Sequence, residues 1–332
     1  MIRRRVLQSD RVEILEKTQV INLLVDAAQV IGVKLRCGRD NTNKSDSDFL
    51  ADLVVDASGR NSLTPKWLES MGYQSPQVTV IQSFLGYASR LYQRPEGFSS
   101  DWKGLIVASQ PPHHTRGGLL YPIEGDRWLV TLGGIGKDYP PTDEAGFLKF
   151  AHSLRSTIIY EAIQTAQPLS QIYSYRRTEN RLYHYDKLSK LPSGLILMGD
   201  AVCAFNPIYG QGMTTAALGT LTLDKCLHQE LHHNSSLKNL TQHFQKQLAK
   251  VNYTPWLMAT GEDFRWSTTV GGQPDRMTRF MHRYMNQVQQ LSVESMNVRF
   301  SFSQVAHMIK PPTALFHPAI LAQVIQHSLV GV

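Results

Sequence analysis

The 332-residue sequence predicts an α/β protein with an inserted β-rich stretch and a helical C-terminal region. Three features predict it. Two short apolar runs, Leu53-Val54-Val55 and Leu195-Ile196-Leu197-Met198, each lead into an Asp- and Gly-bearing turn, as strands of an α/β sheet do at their ligand-binding ends. From Val78 to about Thr178, short runs separated by turn residues read as antiparallel strands. From His232 onward the apolar spacing is helical.

Taken in order, the first residues read as the tail of a helix and Val12–Leu15 as a short strand. Gln19–Val25 alternates weakly, Gln29–Arg36 alternates better, and the polar run Asp40–Asp48 reads as a loop. Ala51–Arg60 reads as a buried strand ending in a tight turn. In the inserted stretch, Val78–Tyr87, Gly104–Ser109, Leu119–Ile123 and Arg127–Gly133 read as strands, with Glu124-Gly125-Asp126 as a hairpin turn. Phe147–Ala166 has helical spacing, with Phe147, Phe150, Ala151, Leu154, Ile158 and Ile159 on one face, and Ile172–Arg177 returns to strand. Gly212–Leu231 reads as a helix with Met213, Ala216, Ala217, Leu221 and Leu227 near one face. Leu237–Val251, Arg276–Leu291 and Pro318–His327 follow as helices, the last two separated by Pro311-Pro312. The domains expected are 1–75 with 193–231, a β-rich 76–192, and a helical 232–332.

Hydrophobic residues at 42% and charged residues at 18% mark a folded chain. The net charge of +7 is spread along the chain, with one tight run at Arg3-Arg4-Arg5. No zinc-finger spacing or RNP-like pattern accompanies it, so nucleic acid is not an expected partner. Three cysteines, Cys37, Cys203 and Cys226, without a CxxC, point to a reducing compartment and no disulfide. No apolar run approaches the ~18 residues of a membrane span. The N-terminus lacks the apolar core of a signal peptide. The cytoplasm is the expected location, and membrane association is not indicated. His228 and His232 flank Glu230, which is not the H-E-x-x-H order, so no metal site is expected; His113-His114 reads as loop. Neither G-x-S-x-G nor G-x-x-x-x-G-K occurs.

The chemistry gathers in two runs. In GDAVCAFNPIYGQGMTT (Gly199–Thr215), Gly199 and Asp200 follow an apolar strand, and Asp200 offers acceptors to sugar-like hydroxyls. Pro207, Gly210, Gln211 and Gly212 form a loop whose glycines let backbone N–H groups approach a ligand. The helix that starts near Gly212 and Met213 presents a positive N-terminus. An ordinary strand-turn-helix with Asp200 as N-cap would show part of this pattern, but not the whole run. In DASGRNS (Asp56–Ser62), Asp56 ends the strand and Gly59 permits a sharp turn. Arg60 offers a guanidinium fork to a phosphate or a nearby carboxylate.

With both runs, the chain resembles FAD-dependent monooxygenases of the aromatic-hydroxylase type, closer to the epoxidase-like branch. LYPIEGDRW (Leu120–Trp128), which looks like the sheet edge over the flavin, and PWLMATGEDFR (Pro255–Arg265) extend the resemblance over nearly the whole chain. It implies an FAD-binding, Rossmann-like domain, an inserted antiparallel substrate domain with FAD between the two, and a helical C-terminal region. Asp200 would sit on the ribityl chain and Gly210–Met213 against the isoalloxazine ring, with Asp56, Gly59, Arg60, Gly199 and Pro207 also at the cofactor. NAD(P)H would donate electrons and O2 would supply the oxygen atom for hydroxylation or epoxidation of an apolar small molecule. No side chain need act as acid or base, so none is assigned as catalytic. Such proteins open with a βαβ unit bearing G-x-G-x-x-G, and no such string occurs here. The expectation is therefore an N-terminally truncated form that purifies without FAD and is poorly stable, with Arg3, Arg4 or Arg5 as the remnant of the helix that reaches the flavin edge. The tryptophan motif and lysine of a flavin halogenase are missing. The competing expectations are a flavin-dependent reductase of isoprenoid double bonds and a non-catalytic remnant or interaction module without flavin.

Overall fold

In the computed structural model, which describes residues 2–38, 45–234 and 236–330, the two apolar runs pair with each other in parallel. The strands are β1 (Thr18–Asp26), β2 (Gln29–Cys37), β3 (Ser45–Leu50), β4 (Val54–Asp56), β5 (Val78–Ile81), β6 (Gly86–Gln93), β7 (Leu105–Val107), β8 (Arg116–Ile123), β9 (Arg127–Gly134), β10 (Tyr173–Tyr175), β11 (Asn180–Tyr183), β12 (Leu195–Leu197) and β13 (Cys203–Ala204). The helices are α1 (Ile2–Val6), α2 (Thr64–Ser70), α3 (Glu144–His152), α4 (Ile158–Ile163), α5 (Gly212–Asn234), α6 (Leu240–Asp263), α7 (Arg276–Glu294), α8 (Met296–Ala306) and α9 (Pro318–Val330). The chain divides into two units, Met1–Val78 with Tyr183–Val202 and Ala216–Val251, and Thr79–Leu182 with Cys203–Thr215 and Asn252–Val332.

The first unit contains the antiparallel sheet β1-β2-β3 and the parallel pair β4-β12. Leu195, Ile196 and Leu197 are fully buried, packed with Leu68, Phe244 and Leu248. A run buried on both faces reads as continuous apolar sequence rather than alternation, which is why three residues suffice to mark it. The second unit contains the antiparallel sheet β10-β6-β9-β8-β7 and the sheet β13-β11-β5. One face of the five-stranded sheet packs Ala88, Leu120, Trp128, Val130 and Leu132 against α3 and α4. The strict alternation along β9 leaves its other residues for the opposite face. A separate cluster of Tyr284, Val288, Leu291, Val298 and Val305 joins α7 to α8.

Several expected elements differ. Val12–Leu15 is irregular, with Val12, Ile14 and Leu15 exposed. Part of the expected Asp40–Asp48 loop lies outside the described residues, and its end is strand β3. That strand is exposed throughout; the β2 ladder and the bidentate Arg36–Asp46 pair hold it, not apolar burial. Ala51–Arg60 shortens to the three residues of β4. Phe147–Ala166 is two helices, interrupted where Ser153 turns its N–H and hydroxyl back onto the last turn. Ile158 is exposed there, while Phe147, Phe150, Ala151, Leu154 and Ile159 are buried. On α5 the buried line is Thr215, Leu223, Cys226 and Glu230, and Met213 and Leu221 are exposed. Gly219 is the reason: Leu248 and Met198 approach its side-chain position to 3.2 and 3.6 Å, so a residue without a side chain marks the packed face. The expected Leu237–Val251 helix begins at Leu240 and runs on through Pro255 to Asp263. α2, α8, β11 and β13 carry no signal strong enough to be read from the sequence.

Ile196 has no exposed surface, and truncating such a residue costs about 2–5 kcal/mol. Ile196→Ala is expected to lower the urea unfolding free energy by that amount.

Candidate functional site

In the first unit, Asp56 pairs across from Leu197, so β4 and β12 end side by side. Two short turns leave those ends, Gly59–Asn61 and Gly199–Ala201. Both open on a glycine with left-handed backbone, φ +78° at Gly59 and +60° at Gly199, where a Cβ would be strained. The turns meet: Arg60 Nε lies 3.8 Å from Asp200 Oδ2. Of the two partners the sequence allowed for Arg60, the structure shows the carboxylate. The Arg60 side chain is 10% exposed and that of Asp200 43%, so Asp200 keeps a face open to a ligand. Asp56 serves its own turn. Its Oδ1 accepts from the Ser58 N–H at 2.9 Å and the Ser58 hydroxyl at 2.6 Å. Its Oδ2 accepts from the hydroxyls of Ser62 and Thr64, each at 2.5 Å. Burial alone would raise the Asp56 carboxyl, but the three hydroxyls and the Ser58 N–H outweigh it and hold it below the usual carboxylate range.

In the second unit, Asn206 starts a tight turn, its side-chain oxygen accepting from the Ile208 N–H at 3.2 Å. Pro207–Tyr209 forms one turn of 3-10 helix and Gly210, at φ +66°, reverses the chain. Nothing lies within 4 Å of the Cβ position of Gly210. Gln211 is 5% exposed, its carbonyl accepts the Thr215 N–H of α5 at 3.0 Å, and its Oε1 is buried without a hydrogen-bond partner. Gly212 and Met213 occupy the first turn of α5, whose leading N–H groups have no intrahelical acceptor. Met213 is 89% exposed.

The same unit holds an apolar cleft of about 440 Å³ on the sheet face opposite the buried core. Tyr87, Ile106, Leu119, Tyr121 and Gly133 line it from the sheet, and Pro207 and Ile208 complete the lining. The segment Leu120–Trp128, expected at a sheet edge, instead joins the inner strands β8 and β9, with Leu120 in the core and Tyr121 on the cleft. Thus the structure brings Asp56, Gly59, Arg60, Gly199 and Asp200 together in one unit and holds Pro207, Gly210, Gln211, Gly212 and Met213 on one loop of the other. Sequence reasoning missed Asn180, Asn206, Tyr209 and Asp263, which form a buried polar cluster beneath that loop. Three of them lie within the Gly199–Thr215 and Pro255–Arg265 runs, but only their long-range contacts reveal the cluster. Among the described residues, no group of three or more His, Cys, Asp or Glu is placed to hold a metal, and no helix is long and apolar enough to cross a membrane.

Over 266 residues the chain is 32% identical to Protein Rv3254 of Mycobacterium tuberculosis, taking in 77% of this chain and 54% of that protein. The chain therefore spans about half the length of that curated relative. No family model matches. Among solved structures, a triple mutant of the flavin-dependent brominase Bmp2 superposes with a TM-score of 0.60 at 14% identity, covering 94% of this chain and 70% of that one. OxyS anhydrotetracycline hydroxylase from Streptomyces rimosus gives 0.54 at 12% identity, covering 90% and 53%. The myxobacterial chondrochloren halogenase CndH, an FAD-dependent halogenase, gives 0.53 at 17% identity, covering 74% and 54%. The chain has the fold of FAD-dependent halogenases and monooxygenases.

Asp56→Ala strands four donors of one turn, and hydrogen bonds to a charged group contribute about 1.5–3 kcal/mol. The variant is expected to lose stability of that order near neutral pH. Because the folded carboxyl titrates below its unfolded value, the contribution is present above about pH 4 and vanishes as pH falls through the folded pKa. Parent and variant unfolding free energies should therefore converge in acid, which urea titrations at the two pH values check.

Proposed function

We propose that the chain is part of an FAD-dependent oxidoreductase, a monooxygenase that uses NAD(P)H and O2 to oxygenate an apolar small molecule. The observation that carries this reading is the double use of one loop. Pro207 and Ile208 line the apolar cleft, and the residues that follow, Gly210–Met213, are those the family resemblance sets against the isoalloxazine ring.

The residues present suit a flavin. The Gly210 Cβ position is open, the Gln211 side-chain oxygen is an orphaned acceptor, and the first N–H groups of α5 are free of helical partners. Bound FAD would supply the redox chemistry, accepting electrons from the nicotinamide donor and activating oxygen. The chain's own groups would bind and shape. Asp200 would accept from ribityl hydroxyls, with Arg60 fixing its orientation. The N–H groups of Gly212 and Met213 would stabilise the negative charge of reduced flavin, since such dipoles act without reorganising. The apolar cleft would exclude water and hold the substrate by area rather than by polar contacts.

Titration with FAD, followed by quenching of flavin fluorescence, tests the cofactor. Asp200→Ala is expected to weaken binding by about 1.5–3 kcal/mol, roughly 10- to 150-fold, and an unchanged affinity would remove Asp200 from the ribityl role. Oxygen uptake matched to oxygenated product tests the reaction; double-bond reduction without oxygen uptake would move the chain to the reductases.

Gly133 tests the cleft. It needs neither a left-handed backbone nor a close approach, since the three atoms nearest its Cβ position, from Leu85, Gly86 and Tyr87, lie at 3.6 to 3.8 Å. Gly133→Leu is expected to fold, fill the cleft and abolish binding of apolar ligands, while FAD affinity stays within about twofold of the parent.

A further inference from the structure

The flavin reading leaves the buried Asp263 without a role. Asp263, at the end of α6, is 1% exposed. Its Oδ1 accepts from the Tyr209 hydroxyl at 2.6 Å and the Asn206 amide at 3.1 Å, and its Oδ2 from the Asn180 amide at 2.7 Å. Asn180 in turn accepts the Asn206 backbone N–H at 2.7 Å, and the Asn206 amide reaches Ser83 Oγ at 3.3 Å. A buried carboxylate is costly unless donors surround it. Here two of the donors, Asn206 and Tyr209, bracket Pro207 and Ile208. The turn itself holds only local bonds, Tyr209 N–H to Asn206 O and Gly210 N–H to Pro207 O. Beyond the β11–β13 ladder that leads into it, side chains set its place in the unit.

We propose that Asp263 is a positioning residue for the apolar cleft: through Asn206, Asn180 and Tyr209 it holds the Asn206–Gly210 turn so that Pro207 and Ile208 complete the cleft wall. This rests on the reading of the cleft as a ligand site.

Protonation separates this role from a merely structural one. Burial pushes the Asp263 carboxyl up to about 6, against the hydrogen bonds from Tyr209, Ser83 and Asn206 and with the Glu262 charge adding to the rise. The titratable or charged groups acting on it are Tyr209 from the turn and Glu262 from its own helix; Glu262 pairs with Arg265 at 2.9 Å. Once protonated, Asp263 loses an acceptor that the surrounding donors need, and the turn loosens. Cleft affinity should therefore be high above pH 6 and fall below it. Stability should move the other way. A folded pKa above the unfolded value means that the native state binds the proton more tightly, so the Asp263 contribution grows as pH falls from about 6 toward 4.

The test is Nile red, a neutral apolar dye, titrated into the full 332-residue protein across about pH 5 to 8, beside urea unfolding. The parent is expected to bind roughly tenfold more weakly at the acid end. Asp263→Asn should bind weakly at every pH, with its profile flat. Tyr209→Phe, which keeps the carboxylate and the bulk, should lose less. The exchange of Asn180→Asp with Asp263→Asn restores a carboxylate–amide pair and should recover binding near neutral pH. Gly133→Leu reports where the dye sits. Dye lost in Gly133→Leu but bound by Asp263→Asn and Tyr209→Phe with the parental pH profile would overturn the positioning role alone. Dye bound equally by Gly133→Leu would overturn the cleft reading and the proposal together.

Discussion

Parallel pairing of β4 with β12, Asp56 opposite Leu197, is the constraint on which the first unit's site depends. Parallel strands deliver both chain ends to the same edge, so the Gly59 and Gly199 turns emerge together and Arg60 can meet Asp200. A slip of one residue would turn every side chain of β12 over and carry Asp200 away from that partner. The register is secured on both sides. Leu195–Leu197 has no exposed surface, and the Val54 N–H and Met198 N–H bond to Gly194 O and Asp56 O at 2.9 and 3.1 Å.

Two carboxylates show how the same groups give opposite results. Asp56 and Asp263 are each ringed by hydroxyl or amide donors, yet the first titrates low and the second high. The difference is burial. Asp56 stands on a turn at the end of a strand and keeps contact with solvent, so four donors outweigh desolvation. Asp263 is 1% exposed, and its donors do not offset the cost of removing the charge from water. Where donors win, the charge is a stable fixture of the turn. Where desolvation wins, the group changes protonation within an ordinary pH range, and whatever it holds changes with it.

What was legible in the sequence was local. The Glu124–Asp126 hairpin, the buried run at Leu195 and the start of α5 at Gly212 each follow from neighbouring residues. So does the meeting of the Asp56 and Asp200 turns, because each Asp ends an apolar strand. On α5, Met213 and Leu221 suggest the core side, whereas close packing selects the face of Gly219. β3 leaves no apolar signal in the sequence because backbone and ionic pairing, not burial, makes it a strand. The Asp263 cluster gathers Asn180, Asn206, Tyr209 and Asp263 from three distant stretches, and no periodicity can foretell such a meeting.

The cleft shows how absence of a side chain can be read. Tyr87, Gly133 and Gly117 lie in one cross-strand row of β6, β9 and β8. Gly117 is demanded by the fold, since a Cβ there would stand 2.9 Å from Val107 O. Gly133 is not: its neighbours leave room for a methyl group, and its backbone is ordinary. What a side chain at Gly133 would fill is the cleft. An antiparallel sheet whose core face is already buried against helices does not need an apolar hollow on its other face for stability. The hollow and the buried charge proposed to hold its wall are therefore best understood together, as features that cost stability and fit the proposed ligand site.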